Sequence, residues 1–215
     1  MKPVQRIQAN LLAKAERRAL TWICARLPAR VTPDGLTALG LAGAALIFAG
    51  YALSSVDPAW LWAVIAGLVV HWFGDSLDGS LARFRRIERP EFGYFIDHST
   101  DGLANLLILA GLGLSPFVRL DIALFALAGY LLLSIHAFLA ARVTGELRLS
   151  YLAAGPTELR LVLVAITLSM FAFGALPVSA SGVTAFDLIV GGVGIVMVIL
   201  FVVQTLATAR QLTLR

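Results

Sequence analysis

Six long apolar runs, at roughly 35–54, 58–74, 94–114, 121–142, 158–175 and 185–207, narrow the folds open to this chain to one kind. Most approach the ~20 residues a helix needs to cross a bilayer, where every backbone N–H and C=O must be satisfied internally. The expected fold is all-α, a polytopic membrane protein of six transmembrane helices. Only 14% of the residues are charged, against about 25% in ordinary soluble domains, which agrees with that expectation. Turn-formers mark the connections: Ser54 to Pro58, Ser115-Pro116, Gly155-Pro156 and Pro177 through Gly182. The second run is short if it stops at Gly74, so its helix should continue past the lipid through residues 75–83.

Charge orients the spans. Of the 17 Lys and Arg residues, all but Arg119 fall before the first run, between runs two and three, between four and five, or after six. The positive-inside rule then puts both termini on the cytoplasmic side. A net charge of +4 would suit nucleic acid, but this distribution points to membrane topology and excludes a nucleic-acid partner. The single cysteine, Cys24, excludes an internal disulfide framework and a cysteine-based zinc site. Residues 1–30 lack the continuous apolar core of a signal peptide. Val4, Ile7, Leu11, Ala15, Trp22, Ile23 and Leu27 recur at helical spacing among basic residues, so this region is expected to be an amphipathic helix on the cytoplasmic leaflet. Trp22, Trp60, Trp62 and Trp72 read as an aromatic belt.

The chemistry is concentrated in residues 74–102, GDSLDGSLARFRRIERPEFGYFIDHSTDG. Carboxylates beside membrane spans are costly and imply function by default. On helices, Asp75 and Asp78 share one face, and so do Asp97 and Asp101. Two such helices would make a cage of hard oxygen ligands suited to Mg²⁺ or Mn²⁺ rather than zinc. Gly79 and Ala82 continue the first face and lack bulk, so a nucleobase or phosphate can approach the backbone there. Gly93 would do the same on the facing helix, or allow close helix packing.

The motif D-x2-D-G-x2-A-R-x9-G-x3-D-x3-D resembles the signature of the CDP-alcohol phosphotransferases. The resemblance implies a six-span catalytic domain over 31–215. It also implies a CDP-linked alcohol donor, an acceptor alcohol, release of CMP and two Mg²⁺ or Mn²⁺ ions. Asp75, Asp78 and Asp97 would be metal ligands. Asp101 would ligate or stand just behind the ligands and act as general base. Gly79, Ala82, Arg83 and Gly93 would belong to the CDP site, and Thr37, in Pro-x-x-Leu-Thr, would lie near the nucleotide. The family pattern has eight residues between the positions of Arg83 and Gly93; here there are nine, placing the extra one in a turn. A homodimer is also implied.

Outside the motif, Arg142, Glu158 and the stretch Gly155 to Arg160 are candidates for the acceptor or donor-headgroup pocket, Arg suiting a phosphate and Glu an amine or hydroxyl, or for a salt bridge from Glu158 to Arg142 or Arg160 that ties two helix ends together. His136 reads as an interior histidine, and Arg85, Arg86 and Arg89 as topology charges. The short loops suggest a bacterial inner-membrane enzyme using CDP-diacylglycerol. Asp97-His98-Ser99-Thr100-Asp101 also resembles the choline/ethanolamine branch, with diacylglycerol as acceptor, although His98 is expected off the aspartate face. Two other classes compete. Prenyltransferases place their Asp motifs on widely separated helices, and ion-coupled transporters place carboxylates near the midplane with inverted repeats, neither of which this sequence shows.

Overall fold

The computed structural model describes residues 5–7, 13–148, 156–178 and 182–214. Seven α-helices follow in order: α1 (Ala13–Cys24), α2 (Pro33–Leu53), α3 (Leu61–Arg85), α4 (Pro90–Leu114), α5 (Leu120–Thr144), α6 (Pro156–Phe173) and α7 (Ala185–Thr213). A 3₁₀ turn, Pro58–Trp60, leads into α3. Helices α2 to α7 stand where the six apolar runs were read, and α3 does continue through Arg85. Among the described residues, four segments are long and apolar enough to cross a membrane: Pro33–Leu53, Pro58–Arg85, Leu120–Thr144 and Ala185–Thr213. The other two are more polar or shorter, since α4 carries Glu91, Asp97 and Asp101 and α6 has 18 residues with Glu158 and Arg160 near its start.

Two corrections concern the N-terminal region. The helix expected over 1–30 covers Ala13–Cys24, with Pro28 disfavouring helical backbone just beyond it. Gln5–Ile7 is instead a strand, β1, pairing in parallel with β2 (Glu146–Arg148). Val4 and Leu11 lie outside the described residues. Leu20 and Cys24 of α1 are buried against Leu36 of α2 and Leu77 and Leu81 of α3. The same burial raises the Cys24 thiol pKa.

Glycine determines how α2 meets α3. A Cβ on Gly43 would stand 2.5 Å from the His71 nitrogen, and one on Gly74 would collide with the Gly40 nitrogen and come within 2.5 Å of the Leu36 oxygen. Only hydrogen fits between these backbones, as at the small-residue crossings of membrane helices. Gly111 repeats the device where α4 meets Phe48 of α2, and Gly194 of α7 where it meets Ala126 of α5. The apolar core, from Ile47 and Tyr51 through Val64, Ile108 and Phe186, lies below the aspartate-bearing ends.

Helix ends are closed by specific chemistry. Thr32 caps α2 by accepting from the Gly35 N–H at 3.1 Å. Arg86, at φ 57°, ends α3 in the left-handed conformation, and residues 86–89 form the turn into α4. Thr184 and Asp187 form a capping box on α7. Asp187 also accepts from the Arg119 N–H at 2.8 Å, and the Thr184 hydroxyl donates to the Phe117 carbonyl at 2.6 Å.

Candidate functional site

The α2–α3 glycine contact carries Thr37 to the aspartates. Its hydroxyl donates to Asp78 Oδ2 at 2.7 Å, and the Gly79 N–H lies 2.5 Å from Asp78 Oδ1. Thr37 therefore faces the aspartate site, while Thr32 serves as the helix cap. Opposite, α4 presents Asp97 and Asp101 one turn apart. Oxygens of Asp75, Asp97 and Asp101 converge to within 4.8 Å of one another. Oxygens on one Mg²⁺ lie about 2.1 Å from it and so at most about 4.2 Å apart, a spacing these side chains reach by small rotations. The trio is a hard, anionic set that suits a divalent cation.

Asp78 does not join that trio but lines the same cleft, with Thr37, Gly40, His71, Asp75, Thr100 and Asp101.

The other expected residues lie further out. Arg83 is exposed, donates to the Ser80 hydroxyl at 3.2 Å and folds back over Gly79. A Cβ on Gly93 would meet nothing within 4 Å, so helix packing does not require glycine there. Ala82 is half-buried on α3; Arg142 is exposed in the last turn of α5, and Glu158 is half-buried in the first turn of α6. His136 is an interior histidine, as expected, its Nδ1 3.3 Å from the Thr205 hydroxyl.

Several roles differ from the sequence reading. His98 is not off the aspartate face: its Nδ1 lies 3.7 Å from Asp101 Oδ2 and 4.0 Å from Asp97 Oδ2. Its ring packs between Tyr94 and Phe138, and its Nε2 is buried without a hydrogen-bond partner. Arg85 does more than set topology. Its guanidinium donates to the carbonyls of Leu27, Pro28, Ala29 and Val31, pinning the α1–α2 link to the end of α3. Arg89 pairs with Asp34. The indole N–H of Trp72 also donates to Glu16 of α1, at 3.1 Å. Arg160, from α6, forms an ion pair with Asp75. The sequence reading placed Arg160 in a pocket-forming stretch or in a salt bridge with Glu158; its partner Asp75, 85 residues away, was not foreseen.

Residues 30–209 match the family model for CDP-alcohol phosphatidyltransferase. The chain belongs to that family. Family members are transferases of substituted phosphate groups in phospholipid biosynthesis, and the apolar helices make this chain an integral membrane protein. It is similar to the phosphatidylinositol phosphate synthase of Cutibacterium acnes, 36% identical over 90 residues that cover 42% of this chain and 41% of that one. It is also similar to the archaetidylinositol phosphate synthase of Pyrococcus horikoshii, 33% identical over 106 residues, 48% of this chain and 52% of the relative. The chain thus spans about half the length of the curated relatives it matches. Within the CDP-alcohol phosphatidyltransferase match lie both aspartate pairs, Thr37 and Arg160.

Proposed function

We propose that this chain transfers the phosphatidyl group of CDP-diacylglycerol to a hydroxyl of a polar acceptor, a phosphorylated inositol first among the candidates, with release of CMP. The observation that carries this reading is the convergence of Asp75, Asp97 and Asp101 from two helices inside the family match. The names of the two relatives, a phosphatidylinositol phosphate synthase and an archaetidylinositol phosphate synthase, support the donor and suggest the acceptor.

Asp75, Asp97 and Asp101 would hold Mg²⁺ or Mn²⁺, and Asp78, fixed by Thr37 and Gly79, would serve a second ion at the same cleft. Such cations supply positive charge against the diphosphate and the departing phosphate. Asp101 takes the proton from the acceptor hydroxyl. That oxygen then bonds to the donor's β-phosphorus as the bond from that phosphorus to the bridging oxygen breaks, and CMP leaves with the bridging oxygen. Gly79, Ala82, Arg83 and Gly93 border the approach of the CDP moiety. Arg142 and Glu158 are assigned to the acceptor's polar groups. Six membrane spans, α1 on the cytoplasmic leaflet, a cytoplasmic site in a bacterial inner membrane and a homodimer complete the reading, supported by the distribution of basic residues and by family membership.

The test is CMP release by detergent-solubilised protein with Mg²⁺ or Mn²⁺. CDP-diacylglycerol, CDP-choline and CDP-ethanolamine are compared across acceptors, with Asp101→Asn and metal-free controls. Release from CDP-diacylglycerol alone supports the proposal. Release from CDP-choline or CDP-ethanolamine with diacylglycerol favours the second reading, to which the place of His98 beside Asp101 lends support. Metal binding without CMP release from any pair favours an ion-coupled transporter.

A further inference from the structure

The ion pair between Arg160 and Asp75 puts a fixed cation against a carboxylate of the cluster from outside the motif. Both side chains are largely enclosed, at 13% and 21% exposure, so solvent and salt screen the pair only partly. The pair is also braced. Thr157, one turn before Arg160 on α6, donates to Glu16 at 2.6 Å. Trp72, one turn before Asp75 on α3, donates to the same Glu16 oxygen at 3.1 Å. Two parallel rungs therefore join α6 to α3, one through Glu16 of α1 and one directly through Arg160 and Asp75. His71 adds a third support. Its Nδ1 lies 3.0 Å from the Gly40 carbonyl, which can only accept, so Nδ1 carries the hydrogen. In the neutral ring Nε2 is then a lone pair, and it stands 3.5 Å from the Arg160 guanidinium.

We infer that Arg160 is the chain's own counter-ion for the aspartate cluster and competes with the divalent cation for Asp75. This rests on the metal-site reading of Asp75, Asp97 and Asp101 given above. A guanidinium on Asp75 and a metal ion on the same carboxylate repel each other and share one set of oxygens. Occupancy by the ion therefore weakens the Arg160 contact, and the Arg160 contact weakens the ion by the same factor. Couplings of this kind run from about fivefold to about 150-fold. Arg160 thereby keeps the cluster compensated and α6 seated, and it sets the threshold at which the site fills.

The test is Mn²⁺ binding by the full chain in detergent, followed by the loss of the free-Mn²⁺ electron paramagnetic resonance signal. Arg160→Gln is expected to bind Mn²⁺ about tenfold more tightly than the unmodified protein. Its melting temperature should fall in EDTA and return to the unmodified value at saturating Mn²⁺, because the ion then supplies the missing charge. Loss of a merely structural contact would instead loosen the site and weaken Mn²⁺ binding. Unchanged or weaker affinity in Arg160→Gln overturns the proposal. In that case loss of Mn²⁺ binding in Asp75→Asn and Asp97→Asn shows that the metal site itself stands. Binding that ignores both Asn substitutions, or that is absent at millimolar Mn²⁺, overturns the metal reading and this proposal together. If Arg160→Gln does not fold, Arg160→Lys decides. It keeps a cation but lacks the planar fork, and it should bind Mn²⁺ about threefold more tightly, so equal or weaker affinity overturns the inference.

Discussion

Replacing Gly74 with Ala tests the claim that glycine contacts position the site. The added Cβ would collide with the Gly40 nitrogen and stand 2.5 Å from the Leu36 oxygen and 2.6 Å from the Gly40 Cα. Carbon contacts relax at about 3.5–4.0 Å, so α2 must retreat from α3 by roughly 1 Å. The obstacles are backbone atoms of two helices, which no rotamer change can move aside. Overpacking of this kind costs about 1–3 kcal/mol. The retreat also stretches the 2.7 Å bond from Thr37 to Asp78 past hydrogen-bond range, adding about 1.5–3 kcal/mol for a bond to a charged group. In a reaction that depends on positioning, a displacement near 1 Å lowers turnover on the order of 100-fold. The assay pairs thermal unfolding in detergent with metal-dependent CMP release. Gly93→Ala is the internal control, since its Cβ would meet nothing within 4 Å and alanine is the better helix former. It should leave stability equal or slightly raised, so any lost activity reports substrate approach rather than packing. A Gly74→Ala protein with unchanged melting temperature and CMP release within about twofold of the parent would refute the packing argument.

Asp97→Asn and Asp101→Asn should each lower CMP release by a factor on the order of 10²–10⁴ while leaving the helical circular dichroism unchanged. Thr37→Val, which deletes the donor to Asp78, should lower CMP release about tenfold, and Thr37→Ser should restore most of it. Arg85→Met leaves the carbonyls of Leu27, Pro28, Ala29 and Val31 without their shared donor and should cost about 2 kcal/mol in thermal stability, with little change in metal affinity. Cys24 is 3% exposed with a raised pKa, so maleimide should label it only as α1 lifts away or the protein unfolds. Rapid labelling of folded protein would contradict the docking of α1.

Much of the framework was legible because its signals are local. Apolar length placed α2 to α7, and the i, i+3 and i, i+4 spacings put Asp75 with Asp78 and Asp97 with Asp101 on their faces. What stayed hidden depends on which helix neighbours which. Arg160 lies 85 residues from Asp75, and the carboxylate its own surroundings offer is Glu158. Thr37 was read from resemblance alone, because its bond to Asp78 spans 41 residues. Gly40, Gly43 and Gly74 look like ordinary membrane-helix glycines until α2 and α3 are seen at backbone contact. His98 was misplaced because helical phase describes where a side chain starts, whereas a ring held by Tyr94 and Phe138 reaches back toward its neighbours.

The capping of α7 bears on the order in which this protein is built. Thr184 and Asp187 satisfy their own helix start, but they also hold the Phe117 carbonyl and the Arg119 amide, which belong to the turn between α4 and α5. Those two groups emerge from the ribosome some seventy residues ahead of their partners. Until α7 arrives, that hairpin has an open seam at the end of the bundle farthest from the aspartates. Chains truncated before Thr184 should therefore insert their earlier helices yet remain easy prey for membrane quality-control proteases. Helix α7 locks a turn synthesised long before it.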